Sequence, residues 1–183
     1  MRNGLKLIMA LLLLLSIASC KKIVSAFFKG EDFTLSKISV TIPVIPFADS
    51  TQEFEAGSFT THFNVDSAIR AHTGGTFGIG VVEYIKVKQV MVVAHNADAE
   101  NNLSALKSIR LTISSDSKNT ASNMLSINFP ASVTDSYTST PSGSPNIVDY
   151  MHGTSFTNNA YGAVRKATTK SLRIDLMITL TAR

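Results

Sequence analysis

The chain has 183 residues, with 17 Lys and Arg against 13 Asp and Glu, ten Phe, four Tyr, no Trp and one Cys. That length suits a single domain with a sizeable core. One cysteine excludes an intramolecular disulfide and any multi-cysteine metal site, and basic residues no denser than the pairs Lys21-Lys22 and Arg165-Lys166 make no electrostatic footprint for nucleic acid.

The chain opens on Arg2 and Lys6, a short positive segment, followed by an almost unbroken apolar run over residues 7–17. This has the length of a signal-peptide core and falls short of the roughly 20 residues that span a bilayer. Ile17-Ala18-Ser19-Cys20 follows. An aliphatic residue, two small residues and a cysteine in that order resemble the lipobox of bacterial lipoproteins processed by signal peptidase II. The resemblance covers the first 20 residues only. It implies cleavage of residues 1–19, a lipid on the Cys20 thiol, and acylation of the new amino terminus. Two or more acyl chains anchor stably where one is marginal. Such cleavage leaves 164 residues (183 minus 19), carrying 15 Lys and Arg against the 13 acidic residues, or about +2. Lys21 and Lys22 are placed to meet anionic headgroups, worth about 1 kcal/mol each. No acidic cluster follows Cys20, which suits the periplasmic side of the outer membrane over the cell surface.

Residues 20–34 read as a lipid-anchored tether, broken at Gly30-Glu31-Asp32, and residues 35–183 as one folded domain. In residues 35–47, Ile38, Val40, Ile42 and Val44 alternate with polar residues, a strand with one buried face. Pro43 and Pro46 cannot donate to a ladder, which puts this strand at an edge. Residues 58–65 alternate Phe59, Thr61, Phe63 and Val65 with polar partners. Asn64 or Asp66 is suited to cap a helical turn through Ala71. Residues 73–80, with four glycines, read as a loop. Residues 81–94 form a long strand that is wet on one face at first and apolar on both from Val90, a pattern that points to a bulge.

After a polar loop over residues 95–102, Ile109, Leu111 and Ile113 alternate in a further strand. Leu125, Ile127 and Phe129 do the same before Pro130. Residues 131–146, rich in Ser, Thr and Pro, read as a long loop, residues 147–151 as a short strand, and residues 155–166 as ambiguous, with a helical turn near Tyr161. The last strand is the clearest: Leu172, Ile174, Leu176, Ile178 and Leu180 in strict alternation, as a central strand requires. Six to eight short strands without helical periodicity predict an all-β fold, a two-sheet antiparallel β-sandwich of Greek-key, immunoglobulin-like type behind a cleaved signal helix.

Catalytic and metal chemistry is sparsely signalled. His62, Asp66 and His72 would make a zinc set only if residues 66–71 turned back; otherwise they are strand and loop residues. Asp98, Glu100 and Asn102 have the alternate-oxygen spacing of a calcium loop but lack its glycine, since Leu103 stands there. The glycines of residues 74–80 do not form a phosphate-binding motif, and glycine-rich turns are common without one. No G-x-S-x-G elbow occurs. Tyr84, Tyr137, Tyr150 and Tyr161 suit either a ligand face or packing. No cofactor, no metal and no catalysis are expected. The sequence therefore predicts a lipid-anchored envelope protein acting as a non-catalytic binding or structural module, with an envelope protein or glycan as partner. Two alternatives stand beside it: a pilus-like subunit donating its last strand, and a carbohydrate- or calcium-dependent adhesive domain.

Overall fold

The structure, a computed structural model, describes residues 30–35, 37–46, 51–132 and 134–183. Cys20 and the signal segment lie outside them. Among the described residues nine strands form two antiparallel sheets, with one α-helix. In chain order they are β1 (Glu31–Thr34), β2 (Ile38–Ile42), β3 (Phe54–His62), α1 (Val65–His72), β4 (Ile85–Ala94), β5 (Leu106–Ser115), β6 (Ser122–Asn128), β7 (Ser136–Ser139), β8 (Ser155–Val164) and β9 (Leu172–Ala182). No helix among the described residues is long and apolar enough to cross a membrane.

One sheet runs β1-β9-β4-β7, with β2 also on β9; the other runs β3-β8-β5-β6. Four of these pairings are nested: β2 with β9, β3 with β8, β4 with β7 and β5 with β6. The chain from β2 to β5 runs out and the chain from β6 to β9 runs back beside it. This long two-stranded ribbon, tipped at residues 116–121, then rolls up through the β4–β9 and β5–β8 pairs. That order is the jelly roll, a sandwich built from two Greek keys. An immunoglobulin-like order would put the first and last strands in opposite sheets; here β9 lies beside both β1 and β2.

The last strand is central, as its alternation requires. Leu172, Ile174, Leu176, Ile178, Leu180 and Ala182 are all fully buried. β2 flanks Leu172 to Leu176, β1 flanks Thr179 to Ala182, and β4 covers the other side. The Leu35 N–H bridges the break by donating to Ile178 O at 2.9 Å. β9 is thus paired on both sides within the domain, which counts against the strand-donating alternative.

The edge position expected from Pro43 is found: β2 ends at Ile42 and pairs with β9 alone. The bulge expected in β4 lies between Val87 and Gln89. It shifts the parity, so Ile85 and Val87 before it and Val90, Val92 and Ala94 after it are all buried. Met91, on the outer face, remains 41% exposed, so that face is not covered as the apolar run suggested. Asn64 caps α1, its Oδ1 accepting from Ser67 N at 2.8 Å.

Two expected strands have bounds other than those read, since β3 stops at His62 with Val65 opening α1 and β4 begins only at Ile85, and four further segments differ in kind. Residues 31–34, read as tether, are β1, because Phe33 is buried and stacks on Phe63 at 5.7 Å. Residues 136–139, read as loop, are β7, an edge strand of Ser, Tyr and Thr. Residues 147–151 are turns, pinned where Ile147 N donates to Ile85 O and Asn146 Oδ1 accepts from Ile85 N. Residues 155–164 are β8, a central strand of the second sheet. Its inward positions are Phe156, Asn158, Ala160, Gly162 and Val164, a period of two in burial but not in hydrophobicity. The Phe54 ring occupies the space over Gly162, where a Cβ would stand 2.7 Å from it. Asn158 donates to Thr61 Oγ1 at 3.3 Å across the strand pair.

Leu176→Ala is expected to lower stability by about 2–5 kcal/mol, because the cavity would open between β2 and β4 where neither can move in. A fall in the urea midpoint with an unchanged slope checks this.

Candidate functional site

The described residue with the strongest claim to chemistry is Asp175, a carboxylate inside an otherwise aliphatic strand. Its neighbours Ile174 and Leu176 face the core, so strand geometry turns Asp175 to the outer face, where it is nevertheless 4% exposed. In register it stands beside Ser39 on β2 and Val93 on β4. Ser39 Oγ donates to Oδ1 at 2.6 Å; His95 Nε2 and Lys37 Nζ reach Oδ2 at 2.6 and 2.9 Å. His95, just beyond β4, is itself held by its backbone N–H donating to Arg173 O at 2.9 Å. The hydrogen bond from Ser39, then those from Lys37 and His95, hold the Asp175 carboxyl well below the usual carboxylate range.

Serine, histidine and aspartate meet here, but in the wrong order for nucleophilic catalysis. A triad places imidazole between hydroxyl and carboxylate so that the ring removes the hydroxyl proton. In this site the carboxylate is central, and Ser39 spends its proton on it. The arrangement does not activate Ser39; it ties β2, β9 and the end of β4 together.

The residues singled out in the sequence do not assemble. Among the described residues no three His, Cys, Asp or Glu side chains could hold a metal ion together. Asp66 pairs with Arg70 at 2.7 Å and accepts from Ile79 N at 2.8 Å, while His72 Nδ1 lies 3.7 Å from Glu31. The Asp66 carboxylate also sits over Gly78, where an added Cβ would be 2.3 Å from its Oδ1. A negative group therefore already occupies the glycine-rich loop that a phosphate would need.

The calcium-like spacing is used locally. Asp98 pairs with Lys170 at 2.6 Å and accepts from the backbone N–H groups of Glu100 and Asn101. These partners, Lys170 foremost, push its carboxyl well below the usual range. Asn102 turns inward: Oδ1 accepts from Ser104 N at 2.9 Å and Nδ2 donates to the carbonyls of Asp98 and Ala99. The oxygens at 98 and 102 thus close the turn and do not converge on a cation.

The tyrosines are engaged separately. Lys86 lies over Tyr84 at 5.0 Å, Arg110 over Tyr161 at 4.2 Å and Lys118 over Tyr150 at 4.9 Å. Tyr137 packs on Phe129 at 5.7 Å. Arg110 also forks onto Glu53, with Nη2 to Oε2 at 2.6 Å. Arg165 donates to four carbonyls, those of Ser104, Leu106, Phe129 and Pro130. It closes the end of the second sheet with no carboxylate partner in that set.

Three concavities stand out. A cleft of about 320 Å³ is lined by Pro43, Ile45, Phe54 and Val164 among others. A polar cleft of about 300 Å³ lies where the edge strands β6 and β7 approach, beside a smaller one of about 170 Å³ under residues 141–145. The Asp175 set and the polar cleft were not singled out from sequence. An acid inside an aliphatic alternation was a usable signal for the first; the second depends on which edges meet.

No described protein family and no curated protein sequence matches the chain. Among solved structures it is similar to the BFDV capsid protein in a decameric assembly, at 11% identity and TM-score 0.34, covering 85% of this chain and all of that one. It is similar to Desmodium yellow mottle tymovirus at 8% identity and TM-score 0.31, covering 84% and 87%. It is also similar to FLHE at 8% identity and TM-score 0.33, covering 83% and 97%. The fold assignment rests on the strand order described above, not on these likenesses.

Asp175→Asn is expected to destabilise the protein by about 1–3 kcal/mol at neutral pH, because it replaces a charge that holds three donors. The Asp175 pKa is depressed by folding, so its stabilisation is fully present above the unfolded value near 3.9 and is lost as pH falls below it. Urea titrations from pH 7 to pH 2 should show a shallower acid loss in Asp175→Asn than in the wild type.

Proposed function

We propose that the chain is a bacterial lipoprotein, tethered through Cys20 to the periplasmic side of the outer membrane, whose jelly-roll domain serves as a non-catalytic binding or structural module. One observation carries the anchoring: the order Arg2, Lys6, an apolar run, then Ile17-Ala18-Ser19-Cys20. Covalent reach supports it as a short tether. The eleven residue steps from Cys20 to the start of β1 at Glu31 span at most about 40 Å. A domain on such a leash stays close to the headgroups.

The side chains favour a module over an enzyme. Asp175 is saturated by three donors, Asp98 by a lysine and backbone amides, and Asp66 by an arginine and a backbone amide. Carboxylates so occupied have little capacity to move protons for a substrate.

Mass spectrometry of protein isolated from bacterial membranes is expected to find Cys20 as the first residue, carrying acyl chains. Cys20→Ser is expected to block both processing and lipid attachment. An unmodified thiol at Cys20 in the membrane-isolated protein would overturn the proposal.

A further inference from the structure

We infer that the polar cleft between β6 and β7 binds a short neutral saccharide; this deepens the reading as a binding module by giving it a ligand class and a place. The cleft is lined by Ser126, Asn128, Tyr137, Ser139, Thr140 and Ser142, with Pro141 between the last two. No charged side chain lines it or the adjoining cleft of residues 123–126 and 141–145. Arg110 reaches the wall of the adjoining cleft, donating to Asn123 at 3.2 Å, but is already forked onto Glu53. A neutral ligand in the β6–β7 cleft thus meets no desolvated charge, and an anionic one finds no lining cation there.

The donors and acceptors are available. The side chains of Ser126, Asn128, Ser139, Thr140 and Ser142 make no hydrogen bond to other described residues, unlike the Asp98, Asn101 and Asn102 set, which is satisfied internally. Asn128 offers both a donor and an acceptor, and each hydroxyl can serve as either, which is the chemistry that reads vicinal hydroxyl groups. Tyr137 adds a half-buried ring, fixed by its contact with Phe129, and so brings contact area with little loss of side-chain freedom. At about 300 Å³ the cleft lies at the lower end of small-ligand sites, which suits one or two sugar rings.

The place also disfavours a peptide. β6 and β7 are the outer strands of their sheets, and a sheet edge is where an extended chain would add. β7 has only four residues, however, and residues 141–145, with Pro141 and Pro145, stand beside β6 at Asn123, Leu125 and Ser126. That leaves too little continuous edge for strand addition, whereas a compact ring system needs none.

The test uses the ¹⁵N-labelled full chain in detergent, titrated with cellobiose, maltose and N,N′-diacetylchitobiose, with sialyllactose and an extended Ser/Thr-rich peptide as comparisons. At least one neutral disaccharide is expected to shift the amides of residues 123–128 and 136–145 in a saturable way. Asn128→Ala and Thr140→Ala, at exposed positions, should each weaken binding roughly tenfold, the effect of one lost hydrogen bond, with the melting temperature unchanged. No saturable shift with any neutral disaccharide, shifts confined to other surfaces, or preferential binding of the peptide or of sialyllactose would each overturn the inference. None of these outcomes bears on the Cys20 lipid, whose mass measurement stands separately.

Discussion

Six aliphatic side chains of one strand, Leu172 to Ala182, fill the centre of the first sheet with no measurable exposure, and the rest of the molecule is arranged to cover them. A strand so apolar on one face must have partners on both edges and a second layer above it. β4 provides one edge, β1 and β2 together the other, and the β3-β8-β5-β6 sheet the lid. Because β9 pairs with the earliest strands, the chain must return to its start, and the nested pairing of the jelly roll follows. The closure also uses up the strand whose pattern would otherwise have suited exchange between molecules.

The same strand carries the buried Asp175. Taking a carboxylate out of water is costly unless hydrogen bonds replace those lost. Ser39 from one neighbouring strand, His95 from the end of the other and Lys37 from the β1–β2 link supply them. The three donors come from segments far apart in sequence, so their meeting reports correct register across the sheet: a slip of one residue would turn Asp175 into the core. This gives the cluster a specifying role and leaves its serine without the activated proton that catalysis requires.

Where polar groups are not used in this way, they collect at the opposite edge. The first sheet ends in β7 and the second in β6, and the cleft between these edges is lined by hydroxyls and an amide with no charge among them. The hydroxyl-rich recess differs in this from the carboxylates elsewhere, which are taken up by hydrogen bonds and ion pairs within the domain.

Strands with strict alternation, β2, β5, β6 and β9, were legible because burial of one sheet face writes itself directly into hydrophobicity. So were the Asn64 cap and the shift of parity in β4. β8 was not legible: Phe54 from β3 fills the space over Gly162, and Asn158 finds its partner in Thr61, so the inward positions need not be aliphatic. β1 and β7 escaped notice because edge strands of four residues bury too little to impose a pattern. The sequence by itself determined the sandwich class, the central place of the last strand, and the lipobox resemblance at Cys20, since each depends on neighbours along the chain. Only the tertiary structure decided the jelly-roll order, the Asp175 cluster and the β6–β7 cleft. Each of these requires segments tens of residues apart to meet, and pairing across such distances leaves no period in the local sequence.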